Sequence, residues 1–244
     1  MRPLSGFLLV STLLASVLYG AAAQAADGAP ARPIVVELFT SQGCSSCPPA
    51  DALLGELARR DDVLPLGFHV DYWDRLGWKD PYASAAATGR QRRYARLLDS
   101  ASIYTPQMVV DGRTEMVGSY RAEVLQAIAA ARAAAVAVPV ELAARDDGLR
   151  VRVAAGDDTT RHATLWLVGF DRHHETQVGA GENGGRKLAE WNIVRGLEPL
   201  GEWQGAAYET TIPAAKLAGY ERVAVLLQET GGRILGAAVN TVSR

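Results

Sequence analysis

Cysteine is nearly absent from this chain: there are two in 244 residues, Cys44 and Cys47. Exported proteins usually carry cysteines as a disulfide framework, but a bridge closing so short a loop cannot staple so long a chain. The pair therefore needs a reason other than bulk stability. Charge of one sign is lacking too. The 25 Lys and Arg nearly balance the 27 Asp and Glu, for a net charge of -2. With no Lys/Arg block long enough to track a phosphate backbone, nucleic acid is not an expected partner. A membrane-length apolar run is missing from the N-terminus as well. The uncharged stretch from Phe7 to Tyr19 covers about 13 residues, short of the roughly 18 to 20 that cross a bilayer, so no permanent membrane anchor is expected.

What the N-terminus does contain is Arg2, that short apolar run, and the small-residue segment Ala23-Gln24-Ala25. This is the pattern of a signal peptide over residues 1–25 with cleavage after Ala25, so a periplasmic or secreted protein is expected. The remaining chain, about 220 residues, is long enough for two domains with separate cores.

The segment Ile34 to Thr40 is β-rich and mostly apolar, as a buried parallel strand should be. After the turn Ser41-Gln42-Gly43 and the two cysteines, Pro48 to Leu57 carries apolar residues at helical spacing, with proline in the first turn where its missing N–H has no partner. Val63 to Val70 is a second strand. Pro81 to about Leu98 is a second helix, with Arg90, Arg92, Arg93 and Arg96 expected on a solvated face. Gln107–Val110 and Thr114–Val117 flank Asp111-Gly112-Arg113, a hairpin signal because Asp-Gly supplies positive φ. A third helix runs from Arg121 to about Ala135. The expected order is β-α-β-α-β-β-α over residues 26–137.

Beyond Val138 the texture changes to short alternating segments: 140–144, 149–154, 163–170, 188–194, 208–212, 222–228 and 234–239. Broken by turn signals such as Asp146-Asp147-Gly148 and Gly231-Gly232, they predict a mainly antiparallel β domain over residues 138–244, a sandwich or small barrel.

The thiolate, not the thiol, attacks disulfides, and an ordinary cysteine with a pKa of about 8.5 is mostly protonated at neutral pH. A helix N-terminus lowers that pKa through its unpaired N–H groups and dipole. Cys44 is thus expected to attack, and Cys47, one turn further in and more shielded, to resolve the mixed disulfide.

On these residues the chain resembles the thioredoxin superfamily. Besides Cys44-Ser45-Ser46-Cys47 at a strand-to-helix junction, Tyr104 to Gly112 looks like that superfamily's cis-proline loop and following hairpin. The resemblance implies a glutaredoxin-type core, a cis bond at Thr105-Pro106, Pro106 facing the dithiol, and Thr105 in contact with a bound peptide. More narrowly, Val36 to Asp51, Phe68 to Asp74, Gly181 to Arg186 and Asn192 to Arg195 resemble a family of secreted bacterial thioredoxin-like proteins of unassigned function. Two departures matter. The buried acid that thioredoxin carries six positions before its first cysteine is replaced by Leu38, while the nearby Glu37 faces the other side of the strand. The intervening Ser-Ser offers hydroxyls that can stabilise a thiolate.

Asp71 to Trp78 leaves the carboxyl end of the second strand, where open α/β sheets place ligands, so Trp73 is a candidate substrate contact, with core capping as the competing reading. His173-His174 is read as an exposed turn, and Gly181 to Arg186 as a long hairpin arm. The function expected is an exported thiol-disulfide oxidoreductase without cofactor or metal, acting on thiol- or disulfide-containing proteins or small thiols and needing an external redox partner. A copper carrier using Cys44, Cys47 and His69 is one alternative. A non-catalytic binding module of the same fold is another, and its mark would be a buried or very stable disulfide.

Overall fold

The computed structural model describes residues 32–134, 137–158 and 160–242. The signal peptide expected over residues 1–25 lies outside them. Strands β1 (Ile34–Thr40) and β2 (Val63–His69) are parallel, and β3 (Gln107–Val110) and β4 (Thr114–Val117) follow antiparallel beyond β1. Helices α1 (Pro48–Leu57), α2 (Ala85–Leu97) and α3 (Arg121–Ala133) complete the first half in the order the sequence predicts. Alternation along β1 divides them. Ile34, Val36 and Leu38 pack with α1 and α3, and Val35 and Phe39 pack on the side of α2. Helix α2 begins at Ser84, whose hydroxyl accepts the Ala87 N–H at 3.1 Å, later than the expected start at Pro81.

The β3–β4 turn places Asp111 at φ 54 and Gly112 at φ 68. Two successive positive φ values are what a tight hairpin of this twist requires. Gly112 also lies against the Gly232 carbonyl, leaving no room for a side chain.

Strands β7 (Ala163–Gln177), β8 (Lys187–Trp203), β10 (Arg222–Glu229) and β11 (Ile234–Thr241) do not form a separate barrel. They extend the first-half sheet into one mostly antiparallel eight-stranded sheet, ordered β11-β10-β7-β8-β2-β1-β3-β4, which crosses the boundary expected near Ala137. The remaining strands, β5 (Val140–Arg145), β6 (Gly148–Val153) and β9 (Tyr208–Pro213), form a three-stranded sheet that packs on one face of β7, β10 and β11. The seam inside the large sheet is narrow. β2 meets β8 through the single pair Gly67 and Ile193, and Asn192 Nδ2 donates to the Pro65 carbonyl at 2.8 Å. A Cβ on Gly55 of α1 would sit 2.5 Å from Trp191 Nε1, so glycine there lets β8 lie against the helix.

One apolar core is common to both halves, joining Phe39, Leu66, Phe68 and Tyr94 to Val168, Phe170, Leu226 and Ile234. Arg90 is part of the buried structure rather than the solvated face expected for it. Its guanidinium pairs with Glu37, and Glu37 also accepts from the Tyr94 hydroxyl at 2.5 Å. Only one face of a helix can be solvated, and Arg90 lies on the inward one with Ala87 and Tyr94. His173 and His174 lie within β7, not in a turn, because β7 runs on seven residues past its expected end at Phe170. Their side chains take opposite faces: His173 packs at a tilt against Trp191 and His174 stacks on Tyr82. Among the described residues, no helix is long and apolar enough to cross a membrane.

Candidate functional site: a buried disulfide and the acids behind it

Cys44 and Cys47 form a disulfide at the junction of β1 and α1. Cys47 is the N-cap residue, and the Ala50 and Asp51 N–H groups bond its carbonyl at 2.8 and 3.1 Å. Cys44 lies in the turn before it, where its own N–H bonds the Ser41 carbonyl at 3.1 Å. The Ser46 hydroxyl stands 3.4 Å from Cys44 Sγ. A disulfide sulfur has no proton, so here the hydroxyl donates.

The expected contrast between an open Cys44 and a shielded Cys47 is absent: both are 0% exposed. The loop joining β7 to β8 is hydrogen-bonded to the turn that carries Cys44. Asn183, buried at its tip, donates through Nδ2 to the carbonyls of Gln42 and Cys44, each at 2.9 Å. Beside it, Glu182 Oε2 accepts the Ser45 N–H at 3.2 Å, and the Ser45 hydroxyl together with this N–H holds the Glu182 carboxyl below its usual pKa. Only Ser45 and Ser46 of the motif are exposed.

Trp73 and Thr105 are brought together, the indole Nε1 donating to the Thr105 hydroxyl at 2.8 Å. A Cβ on Gly43 would lie 3.2 Å from Trp73 Cβ, so this pair flanks the residue that precedes Cys44. The Thr105-Pro106 peptide is cis. Pro106 directly precedes Gln107, the partner of Phe39 across the β1–β3 ladder, which places it at the end of β1 from which the disulfide loop departs.

Four titratable side chains that the motif did not announce lie buried on the α1 side of the loop. Asp51 accepts from the Thr40 hydroxyl at 2.8 Å. Burial raises its pKa to about 6, against the opposing pull of His69 and the Thr40 bond. Glu190 of β8 accepts from Gln42 Nε2 at 2.8 Å, and burial raises it to about 7. His69 Nδ1 bonds Asp80 Oδ2 at 2.7 Å. Burial alone would lower the imidazole, but the charge and hydrogen bond of Asp80 outweigh it and the net shift is upward. Burial likewise works against ionisation of Asp80, yet His69 and the N–H groups of Gln42 and Tyr82 leave it below its usual value. Gln42 is the hub. It reaches Asp80 through its N–H, Glu190 through Nε2, and Trp78 through Oε1, which accepts the indole N–H at 2.9 Å. A cavity of about 310 Å³ between α1 and β8, lined in part by Pro48, Asp51, Arg186 and Trp191, leads to Asp51.

Of the four titratable side chains, only His69 was singled out from the sequence, as a candidate copper ligand; Asp51 stands among the inward residues Ala50, Leu53 and Leu54 of α1. Glu190, Asp80 and Asn183 come from distant segments and carry no sequence signal. A larger cavity, about 770 Å³ and lined by Arg145, Asp171, His174 and Tyr220 among others, includes neither cysteine in its wall. His69, the third ligand of the copper-carrier alternative, bonds Asp80 through Nδ1 at 2.7 Å. Among the described residues no three His, Cys, Asp or Glu gather as a metal site.

Fold and site together define a mixed α/β protein with a disulfide at a strand-to-helix junction, hydrogen-bonded to a hairpin from the far half of its sheet. Residues 35–228 match the family described as "Protein of unknown function (DUF1223)", and the chain belongs to that family. It is similar to a crystallographically solved protein from Agrobacterium tumefaciens, with 32% identity over 89% of this chain and 100% of the other and a TM-score of 0.76. It also shares its fold with HBP35 of Porphyromonas gingivalis, at 14% identity over 88% of this chain and 76% of that one, TM-score 0.55. None of the functionally curated proteins matches.

Proposed function

We propose that Cys44 and Cys47 are a redox-active pair and that the protein is an exported thiol-disulfide oxidoreductase with a thioredoxin-like core. The observation that carries this reading is the setting of the disulfide: the turn into a helix N-terminus, with Trp73 and Thr105 beside it and Asp51 one turn along the helix. On reduction, a partner thiolate attacks one sulfur and forms a mixed disulfide as the S–S bond breaks and the other sulfur leaves as a thiolate that takes up a proton; a second partner thiol then displaces the first sulfur, leaving the pair reduced and the partner as a disulfide. The N–H groups and dipole of α1 favour that thiolate. Asp51, with a pKa of about 6, is poised to exchange a proton near neutral pH. Substrates are thiols or disulfides of proteins or small molecules, and an external partner resets the pair, since no third cysteine exists in the chain. Export follows from the N-terminal pattern of Arg2 and Ala23-Gln24-Ala25.

Burial of both sulfurs favours a second reading, a binding module whose disulfide is only structural. Exchange assays separate the two. Wild-type protein should catalyse thiol-disulfide exchange with insulin or glutathione disulfide, and Cys44→Ser should abolish it. Equal turnover by wild type and Cys44→Ser would remove the redox reading.

A further inference from the structure

The loop between β7 and β8 has an unusual burial pattern. From Gly179 to Lys187 every residue is exposed except Asn183, which is 0% exposed. A polar side chain is the sole buried anchor of an otherwise solvated segment. Both hydrogens of its amide nitrogen go to the carbonyls that bracket Gly43, those of Gln42 and Cys44, and its own oxygen accepts from Arg186 Nη1 at 2.7 Å. The backbone around it is turn-like and glycine-rich, with Gly181 and Gly185 at positive φ. Its remaining fastenings are the Glu182 bond to the Ser45 N–H and the Trp78 ring, which packs where Cβ atoms on Gly179 and Gly181 would lie.

We propose that Gly179 to Arg186 is a latch over the disulfide, held shut by Asn183, and that a thiol reaches Cys44 only when the latch lifts. This rests on the redox reading of the same cysteines. In-line attack needs an approach to a sulfur along the S–S axis, and a fully buried sulfur offers none. The fastening is weak by construction. Two hydrogen bonds to Asn183 and one to Glu182 hold the tip, whereas the sheet beneath carries the apolar core, so the latch opens as a local event while the fold stays intact. Asn183 and Glu182 act as access-controlling residues, not catalytic ones. A thiol-bearing polypeptide that brings its own N–H groups to the Gln42 and Cys44 carbonyls competes directly with the arm.

The test uses dithiothreitol, whose two thiols close to a cyclic disulfide as Cys44–Cys47 gains two electrons and two protons. Reduction of the folded wild type should be slow relative to the same chain unfolded in guanidinium. Asn183→Ala should accelerate it about 10- to 30-fold, the loss of two hydrogen bonds of ordinary strength. Trp78→Ala, which frees the arm from its other side, should accelerate it too and serves if Asn183→Ala does not fold. Hydrogen exchange distinguishes a latch from general loosening. The Gly184, Gly185 and Arg186 amides should exchange faster by a similar factor, while those of β1 keep wild-type protection. Rates within twofold of wild type in both variants would overturn the latch, as would equal acceleration of β1 and arm amides. Because chemical reduction is read without any partner protein, this result is separate from the Cys44→Ser exchange assay: the latch can fail while the redox function stands.

Discussion

Two buried charged networks lie on opposite faces of β1, and they are built to different rules. On the α2 face, Glu37 meets Arg90 and the Tyr94 hydroxyl, and Gln228 Nε2 reaches that hydroxyl at 2.8 Å. One acid faces one base. Burial alone would lower the Arg90 pKa, but Glu37 and Tyr94 more than reverse this, so the guanidinium stays charged. On the α1 face, Asp51, Asp80 and Glu190 share a single imidazole, His69. His69 is committed to Asp80, so burial acts on Asp51 and Glu190 with too little positive charge to oppose it, and they titrate at about 6 and about 7. The balanced network stabilises a core. The unbalanced one keeps protonatable groups near neutrality beside a disulfide, which is where proton-coupled chemistry would use them.

The comparison breaks most readily on the balanced side. Replacing Arg90 by Met leaves a carboxylate buried without its partner, and unfolding in urea at pH 7 should show a loss of about 3 to 5 kcal/mol. A loss below about 1 kcal/mol would mean that the pair is not closed as described.

On the other face the effect should be smaller and of opposite sign. An acid whose pKa rises on folding from 3.8 to about 6 holds its proton in the folded state across that window. Its contribution to stability is therefore full below pH 3.8 and is lost as pH rises through about 6. A rise of roughly two units corresponds to about 3 kcal/mol at most. Asp51→Asn keeps an acceptor for Thr40 without the charge, so it should stabilise the protein at pH 8 by up to about 3 kcal/mol and flatten the decline across the acid window. Denaturation midpoints from pH 4 to 8 would show this. Destabilisation at pH 8 would place Asp51 with the balanced network instead.

Much of the first half was legible because each of its elements carries its own signal. The Asp111-Gly112 turn, the Pro48-Pro49 helix start and the mostly apolar run of β1 are local facts, and the structure has them at Asp111–Gly112, Pro48 and Ile34–Thr40. The strands of the second half were legible as strands but not as partners. Periodicity does not say that β8 reaches β2, since that seam rests on one residue pair and on glycines that admit Trp191. Arg90 misled because, beside Arg92, Arg93 and Arg96, it reads as one more residue of a solvated face until Glu37 is seen opposite it. The site divides the same way. Cys44, Cys47 and the cis Thr105-Pro106 bond follow from a local motif and a resemblance, while Glu190, Asp80 and Asn183 become neighbours of the disulfide only through tertiary folding. The arm itself was visible as a glycine-rich hairpin, but its anchor was not, because an asparagine in such a segment ordinarily serves the turn.

The reduction potential of the Cys44–Cys47 pair tests the central claim most directly. It is read by equilibrating the folded protein in graded thiol-disulfide buffers, with the arm-loosened Asn183→Ala variant alongside so that slow access is not mistaken for stability. A redox-active pair should titrate reversibly between about −120 and −270 mV, the span of thioredoxin-like oxidoreductases. A potential below about −300 mV in both proteins, as in structural disulfides, would contradict it.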